Sequence, residues 1–353
     1  MLDNSKSANH KEYCQQPPVV KWRLLLYNGQ MDAKEKPEII VITGPTATGK
    51  TALGSLLANT IGGEVVSADS MQIYKHMDVG TAKPTAEEML GVPHHMLDIV
   101  LPWEDYSVAR YVADAAPIID DILSRGRKPI IVGGTGLYID SLLSGGGFSA
   151  RGEPAMRREL EAEYDRIGGE AMLQLLGEFD PDCAGRLHAN DKKRIVRAIE
   201  TFNTTGKPIS QHDFETKSVP PRYGAVKVAL SFSDRAELYL RIDRRVDDMI
   251  SQGLEDEVRS LLDMGLRPGA TSMQAIGYKE MACVIQGESS IAAAIEKIKM
   301  ESRRYAKRQL TWLRRDPEIN WIIWDRTADI EGAVQRIRNS EFGIRNQWQD
   351  RGS

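Results

Sequence analysis

The eight residues at positions 44–51 constrain this chain more than any other segment. They read GPTATGKT, which matches the pattern G-x-x-x-x-G-K-[ST] in full, between the apolar run 39–42 and the helical stretch 52–61. In a strand–loop–helix order, the backbone N–H groups of such a loop and the helix N-terminus converge on an anion. The sequence therefore predicts a diphosphate or triphosphate site, with the Thr51 hydroxyl available to Mg²⁺. The predicted site consists of Gly44, Pro45, Thr46, Ala47, Thr48, Gly49, Lys50 and Thr51.

The spacing of the short apolar runs predicts an α/β fold. Runs at 39–42, 64–67, 96–100 and 129–132 alternate with helical stretches, as in the βαβ units of a parallel sheet. The next run, at 226–232, follows only after a much longer gap. We therefore predict a P-loop NTPase-like parallel sheet with a mostly helical insertion. The corresponding segments are a poorly ordered extension at 1–36, a core at 37–150 and 216–325, an insertion at 151–215, and a polar peripheral tail at 326–353.

The composition narrows the class of protein. Among 353 residues, 46 are Lys or Arg and 50 are Asp or Glu, so the net charge is −4 and any nucleic-acid surface must be local. Three cysteines without a C-x-x-C pair favour neither a disulfide framework nor a cysteine zinc site. No apolar run approaches the roughly 20 residues of a membrane-spanning helix. We expect a cytoplasmic chain, and because nothing requires an oligomer we expect a monomer.

Polar residues follow two of the predicted strands, at the edge where parallel sheets bind ligands. Asp69 comes directly after the run 64–67, and Thr135 follows the fourth run within the glycine-rich segment 133–136. We expect both side chains to face the same cleft as Lys50. The residues also allow a plainer interpretation, in which Asp69 caps a helix and 133–136 form a tight turn.

His94 and His95 form an adjacent pair of possible metal ligands. Neighbouring residues of a strand point to opposite faces of the sheet, so the two rings are poorly placed to bind one ion. We expect them to pack or to form hydrogen bonds instead.

Several longer motifs occur in order along residues 38–325. They are the phosphate loop in its GPTAxGKT form, DSMQIY at 69–74, GTAKP at 80–84, PHH at 93–95, GGTGLY at 133–138, AIGYKE at 275–280 and RYAKRQLTW at 304–312. In this order and length they resemble the tRNA dimethylallyltransferases. The resemblance implies transfer of a dimethylallyl group from dimethylallyl diphosphate to the exocyclic amine of the adenine on the 3′ side of the anticodon. The loop would then hold the leaving diphosphate.

The resemblance also implies roles for individual residues. Lys50 and the loop N–H groups would neutralise charge on the departing diphosphate, which Arg235 would also reach. Asp69 would accept a proton from the attacking amine, and Thr135 would contact the tRNA in the cleft. The residues implied to contact tRNA are Asp69, Ser70, Met71, Gln72, Thr135, Arg157, Lys193, Arg194, Ile195, Val196 and Arg197.

Two basic stretches are candidates for holding the RNA backbone. Residues 186–207 contain six basic and two acidic residues, and residues 297–315 contain eight basic residues and one acidic residue. In a helix, Lys193 and Arg197 lie on one face, whereas the apolar residues between them turn toward a core. Lys193 stands where the family more often has Gln, which favours a phosphate contact there over a base-edge contact. The insertion is thereby predicted to bind the tRNA anticodon stem-loop.

The residues leave three other functions open. The phosphate loop alone is typical of a small-molecule kinase that uses ATP, although no Arg-rich lid sequence is present. Prenyl transfer to free adenosine phosphates would use the same loop but needs no large basic insertion. A non-catalytic RNA-binding protein would not require Asp69 and Thr135 beside a complete loop.

Overall fold

The computed structural model describes residues 38–148 and 154–339, so the predicted extension at 1–36 lies outside the described residues. Six parallel strands form one sheet in the order β3–β2–β4–β1–β5–β6. The strands are β1 (Glu38–Thr43), β2 (Glu64–Ser67), β3 (His94–His95), β4 (Pro129–Val132), β5 (Gly224–Phe232) and β6 (Asn320–Trp324). The predicted α/β fold with a parallel sheet is confirmed.

Helices follow most of the strands. In chain order they are α1 (Lys50–Ile61), α2 (Val108–Ser124), α3 (Gly136–Leu143), α4 (Pro154–Ile167), α5 (Gly169–Phe179), α6 (Pro181–Ala184), α7 (Lys192–Thr205), α8 (Ile209–Ser218), α9 (Arg235–Ser251), α10 (Leu254–Asp263), α11 (Tyr278–Ile285), α12 (Ile291–Leu313) and α13 (Ile330–Arg338). None of these helices, within the described residues, combines the length and the apolar character needed to cross a membrane.

Alternate residues of the central strand β1 face opposite sides of the sheet, as the two-residue period of a strand requires. Ile40 and Ile42 belong to an apolar cluster that includes residues of α1. Ile39 and Val41 belong to a second cluster, which includes residues of α2. Both faces of the sheet are therefore buried, and the strand ends remain as the place where polar residues can form a site.

The long connection between β4 and β5 contains helices α4–α8. They pack around an apolar cluster of their own, in which Met172, Leu176 and Ile195 are fully buried. The last of these helices ends at Ser218, three residues beyond the predicted end of the insertion. These helices thus share a core distinct from the two clusters that flank the sheet.

The predicted strand at 96–100 is wrong. The third strand is instead the two-residue segment His94–His95, and Val100 forms only an isolated bridge. Met96 and Asp98 have φ values of 62° and 53°, which a continuous strand excludes. The apolar run buries Met96 and Val100 within a turn-rich segment, so its composition resembles that of a strand.

The predicted polar tail at 326–353 is wrong for residues 330–338. These residues form α13, whose Ala333, Val334 and Ile337 are buried in the same cluster as residues of α1. Their spacing follows the helical period, and the charged residues between them occupy the exposed face. A short amphipathic helix can therefore look like a polar tail when its composition is averaged.

Candidate active site

The phosphate loop lies between the carboxyl end of β1 and the start of α1. Gly44 has a φ of 143°, and a Cβ added there would lie 2.5 Å from the Leu230 carbonyl oxygen. Gly49 has a φ of 89° and caps α1. Glycine is needed at both positions because β5 passes close to the first and the backbone is left-handed at the second. The Thr48 hydroxyl donates to the Pro45 carbonyl at 2.8 Å, which closes the loop on itself.

Lys50 carries the positive charge of the loop. Its ammonium donates to the Pro45 carbonyl oxygen at 2.7 Å. Burial, together with the nearby Arg245 guanidinium, lowers the pKa of Lys50 to about 7 against the opposing attraction of Asp69. An anion placed beside this lysine would favour its charged form. The loop is therefore electrostatically prepared for a polyanion.

Asp69 and Thr135 lie at the carboxyl ends of β2 and β4, in one cleft with Lys50. The Asp69 carboxylate accepts the Met71 backbone N–H at 2.9 Å, and its charge acts on the Lys50 ammonium. Thr135 Oγ1 accepts the Ser70 backbone N–H at 3.1 Å. The structure thus brings the expected residues together. The Asp69 carboxylate also closes a local turn, but no helix begins there, so the plainer interpretation in which it caps a helix is wrong.

The glycine-rich segment after β4 allows two loops to approach closely. A Cβ at Gly133 would lie 2.2 Å from the Ala68 carbonyl oxygen, and one at Gly134 would lie 2.2 Å from Gln309 Nε2. Gln309, on α12, donates to the Gly134 carbonyl at 3.0 Å and accepts the Thr46 backbone N–H at 3.0 Å. Gln309 therefore joins the phosphate loop to the glycine-rich segment. Sequence analysis missed this role because Gln309 lies 263 positions from Thr46.

Tyr305, one turn before Gln309 on α12, is a second residue whose role the sequence did not reveal. Burial together with the nearby Asp69 charge raises the pKa of Tyr305 to about 12, against the opposing effect of the neighbouring Thr135 hydroxyl. The phenol therefore stays protonated at neutral pH beside Thr135. Tyr305 and Gln309 are four residues apart, so the helical period could have placed both on the face toward the cleft.

Two arginines of α9 contribute positive charge to the site. Arg241 donates through Nε to the Ala47 carbonyl at 3.1 Å, which attaches the helix to the phosphate loop. Arg245 lies four residues further on, and burial lowers the pKa of its guanidinium while Asp69 opposes that shift. Asp69 therefore acts on two cations, Lys50 and Arg245.

The prediction that Arg235 reaches the diphosphate is not supported by the structure. Arg235 is exposed at the start of α9, with its guanidinium 5.7 Å from the centre of the Tyr239 ring. The described hydrogen bond between this helix and the phosphate loop comes from Arg241, six residues further along. Sequence position within a helix does not reveal which turn meets a distant loop, so the contact of Arg241 with the phosphate loop could not be predicted.

Gln72, one of the residues predicted to contact tRNA, is held from two sides. Its amide donates to two backbone carbonyls of segment 81–82 at 3.4 and 3.2 Å and accepts the Ser67 hydroxyl at 3.1 Å. The preceding segment 78–80 is bound by the Glu257 carboxylate, which accepts three successive backbone N–H groups. The GTAKP motif therefore supports the position of Gln72 at the cleft. Its neighbours in the DSMQIY motif, at 70–71, are half-buried.

The residues of the insertion that were predicted to contact tRNA differ in exposure. Lys193 and Arg194 are exposed on α7, whereas Ile195 and Val196 are only 0% and 1% exposed. The prediction of tRNA contacts is therefore wrong for the side chains of Ile195 and Val196. Five consecutive residues of a helix pass through its buried face, so a contiguous segment cannot all face a ligand.

The two predicted arginines of the insertion meet at one carboxylate. Arg157 of α4 and Arg197 of α7 form ion pairs with Glu200, with N–O distances of 3.3 and 2.8 Å. Glu200 has a side-chain exposure of 1%, whereas both arginines are part-exposed. The arginines therefore combine a buried internal contact with a solvent-facing surface.

The basic residues of α12 divide into paired and unpaired groups. Lys299, Arg303 and Arg304 form ion pairs with Asp247, Asp243 and Glu301, at 2.7, 2.6 and 2.6 Å respectively. Within the described segments, no ion pair engages Lys297, Lys307 or Arg308 of α12, or Arg314 and Arg315 just beyond its end. The positive charge that α12 offers to a polyanion therefore comes from this second group.

The phosphate loop supplies one oxygen ligand suited to Mg²⁺, the hydroxyl of the half-buried Thr51. In residues 38–148 and 154–339, no group of three or more His, Cys, Asp or Glu side chains could hold a metal ion. Mg²⁺ commonly binds through substrate phosphates and water with few protein ligands, so this loop fits the ion. His94 Nε2 lies 3.2 Å from Ser55 Oγ, and His95 Nε2 lies 2.8 Å from Glu64 Oε2. The expectation that the histidines form hydrogen bonds is confirmed.

Known proteins resemble this chain in both sequence and fold. Residues 72–316 match the family model described as IPP transferase, and residues 37–99 match the one described as isopentenyl transferase. A tRNA dimethylallyltransferase of Caldanaerobacter subterraneus subsp. tengcongensis is 48% identical over 290 residues, which are 82% of this chain and 92% of that protein.

Two solved structures extend the likeness to the fold. The tRNA isopentenylpyrophosphate transferase of Bacillus halodurans is 42% identical with a TM-score of 0.64, over 87% of this chain and 96% of that chain. A eukaryotic dimethylallyltransferase acting on tRNA is 30% identical with a TM-score of 0.74, over 89% and 82% of the two chains. The chain therefore belongs to the IPP transferase family.

Proposed function

We propose that the protein transfers a dimethylallyl group from dimethylallyl diphosphate to the exocyclic amine of the adenine on the 3′ side of the anticodon in tRNA. The observation that carries this proposal is the cluster of Lys50, Arg245 and Asp69 at the phosphate loop. Two cations attract a polyanion, and a carboxylate stands beside them to accept a proton. The names of the relatives, tRNA dimethylallyltransferase and dimethylallyltransferase acting on tRNA, support transfer of this group to tRNA.

The loop and its cations serve the departure of the diphosphate. As the allylic carbon–oxygen bond breaks, negative charge builds on the diphosphate, and Lys50, Arg241 and Arg245 are placed around the loop that holds it. Because the pKa of Lys50 is about 7 in the free protein, the diphosphate itself favours protonation of Lys50. Binding of the donor and neutralisation of its charge are thereby coupled.

Asp69 and Thr135 serve the attacking amine. The adenine nitrogen forms a bond to the terminal carbon of the dimethylallyl group, and the diphosphate leaves with the electron pair of the broken bond. The nitrogen then loses one proton, which passes to the Asp69 carboxylate. Thr135, held by the Ser70 N–H, orients the amine toward that carboxylate.

The tRNA must be held while the adenine leaves its stack. A stacked base cannot reach an enclosed electrophile, so the adenine must turn out of the anticodon loop into the cleft. Lys193 and Arg194 are exposed, and the unpaired cations of α12 add further positive charge, so both surfaces suit contact with phosphates. Gln72 stands next to the cleft with its amide held, in a position to contact the displaced base.

Mg²⁺ would be held by the Thr51 hydroxyl together with diphosphate oxygens and water. When bound, it would withdraw charge from the leaving diphosphate as a Lewis acid. A tRNA substrate also suits the cytoplasmic location predicted from the cysteine content. No oligomer is required for this chemistry, because one chain supplies every residue named.

Incubation of the purified protein with radiolabelled dimethylallyl diphosphate and Mg²⁺ tests the proposal. With tRNA present, we expect label in the tRNA, and digestion should locate it in the adenine next to the anticodon. With AMP in place of tRNA, we expect no transfer. Label in AMP but not in tRNA would overturn the proposal in favour of an adenylate prenyltransferase. Consumption of ATP with an added metabolite would favour a kinase instead.

A further inference from the structure

The Glu257 carboxylate of α10 binds the backbone of a turn at residues 78–80. It accepts the backbone N–H groups of Asp78, Val79 and Gly80 at 2.7, 2.8 and 3.1 Å. These three donors belong to successive residues, so one side chain satisfies them all. Hydrogen bonds to an ionised acceptor are stronger than those between neutral groups. Glu257 therefore attaches the turn firmly to α10.

Tyr278, the first residue of α11, supports the same contact. Its hydroxyl donates to Glu257 Oε1, and its side chain is fully buried. Its ring lies against Gly80, where an added Cβ would be 2.4 Å from a ring carbon. Glycine is needed at this position because the ring leaves no space for a side chain. A buried phenol thus fixes the carboxylate that binds the turn.

The turn continues into the two carbonyl groups that orient Gln72. The side-chain nitrogen of Gln72 donates to the Thr81 and Ala82 carbonyls at 3.4 and 3.2 Å. The side-chain oxygen of Gln72 accepts the Ser67 hydroxyl at 3.1 Å. That oxygen has two acceptor positions, so Ser67 leaves one for a donor such as the exocyclic amine of adenine. The amide keeps this orientation only while the two carbonyls stay in place.

We propose that Glu257 is a positioning residue for the adenine, because the turn it binds leads into the two carbonyls that orient the Gln72 amide toward the displaced base. This inference rests on the proposed function, since it assigns Gln72 to the same tRNA substrate. Glu257 contributes through the backbone, without touching either substrate. This series of hydrogen bonds does not include the phosphate loop. Its loss should therefore impair the use of tRNA and leave binding of the diphosphate donor unchanged.

Positioning and simple charge predict opposite results for Glu257→Gln. The amide keeps one acceptor oxygen but presents two donors of its own to the backbone N–H groups, so it cannot hold the turn as the carboxylate does. The variant also loses one negative charge, and long-range attraction alone would then strengthen tRNA binding. Glu255→Gln is the matched control. Glu255 lies on the same helix and pairs instead with Arg259 at 2.7 Å.

For Glu257→Gln we expect kcat/KM for tRNA to fall about tenfold, as for loss of a charge-assisted contact, while the KM for dimethylallyl diphosphate stays unchanged. Glu255→Gln should match the parent in both constants. A double-mutant cycle with Gln72→Ala tests whether Glu257 acts through Gln72. In the Gln72→Ala background, Glu257→Gln should cause no further loss. A variant that merely loosened the fold would instead add its loss to that of Gln72→Ala.

An unchanged or higher kcat/KM for tRNA in Glu257→Gln would overturn the inference, and so would equal losses with and without the Gln72 side chain. If that variant does not fold, Tyr278→Phe decides the matter, because it removes the hydroxyl bound to Glu257 and keeps the ring against Gly80. It should lower kcat/KM for tRNA about threefold, and the parent value would overturn the inference. Failure of the proposed function is distinguishable, since the parent protein would then transfer no label to tRNA at all.

Discussion

The two ends of the sheet hold charged clusters of opposite character. At the amino end, Glu64 is 2% exposed and accepts hydrogen bonds from Arg125, Arg127 and His95. The bonds from Arg125 in particular lower the pKa of Glu64 to about 2, against the opposing effect of burial. At the carboxyl end, burial and a neighbouring guanidinium lower the pKa of Lys50 to about 7. The protein therefore favours the charged form of Glu64 at the amino end and disfavours the charged form of Lys50 at the carboxyl end.

This difference separates a cluster that stabilises the fold from one that awaits a ligand. Glu64 has its counter-charges within the protein, so its ionised form contributes to stability and has little to offer a substrate. Lys50 and Arg245 share Asp69 as a counter-charge, and Glu88 also acts on Arg245, but burial still disfavours both cations, so a polyanion would improve their environment. Perturbed groups of the second kind are typical of functional sites.

The largest expected effect is that of Asp69→Asn. The amide oxygen can still accept the Met71 N–H but cannot take the proton of the attacking amine. We expect kcat to fall by at least about 100-fold, the contribution of a general base, while tRNA binding is retained. The measurement is label transfer to tRNA at saturating substrates. Glu64→Gln, which removes a carboxylate at the other end of the sheet, should keep the kcat of the parent. Near-parent activity in Asp69→Asn would refute the assignment of the base.

Glu64→Gln should instead lower stability. Removing one partner of a buried ion pair costs about 3 kcal/mol in the free energy of unfolding. Folding lowers the pKa of Glu64 from an ordinary value of 4.5 to about 2, so its ionised form stabilises the protein fully above pH 4.5. This stabilisation is lost as the pH falls from 4.5 toward about 2. Denaturant unfolding of both proteins over this range should show a difference that shrinks on acidification. A constant difference would contradict this account.

Charge reversal of Lys193 and Arg194 tests the exposed surface of α7. The double change to Glu should weaken tRNA binding by about tenfold at low salt. If both side chains contact phosphates, the slope of log K for tRNA binding against log salt concentration should also become shallower by about 1.4. The affinity for diphosphate should not change. The matched control reverses Arg267 and Arg338, which are also exposed and alter the net charge equally. Equal losses in the two double variants would show that only net charge matters.

The smallest expected effect is the uptake of a proton when diphosphate binds. At about pH 8, most molecules of the free protein have a neutral Lys50. The bound anion raises the pKa of Lys50, so binding of diphosphate should take up nearly one proton per molecule. At about pH 6 Lys50 is already charged and takes up none. Calorimetry in buffers of different ionisation enthalpy measures this uptake. Lys50→Arg stays charged throughout and should lack it. The same uptake in both proteins would contradict the lowered pKa.

Much of the site could be predicted because its determinants are local. The phosphate loop follows from eight consecutive residues, and the placement of Asp69 and Thr135 follows from the rule that parallel strands end at one edge. Gln309 and Tyr305 could not be predicted in the same way, because α12 joins the site from the far end of the chain. The contact of Arg241 with the phosphate loop was hidden for the same reason, since a helix can meet a loop at any of its turns.

The sequence by itself determined the class of fold, the anion-binding loop and the family motifs, because each depends on residues close together in the chain. Glycine conformations, strand alternation and helical periods are properties of short segments. Only the tertiary structure decided which charges meet. It placed Arg245 beside Lys50, enclosed Glu200 between two helices and buried α13 against α1. Burial and pairing depend on distances between segments remote in sequence, and these distances set the pKa values and the energies from which the proposed chemistry follows.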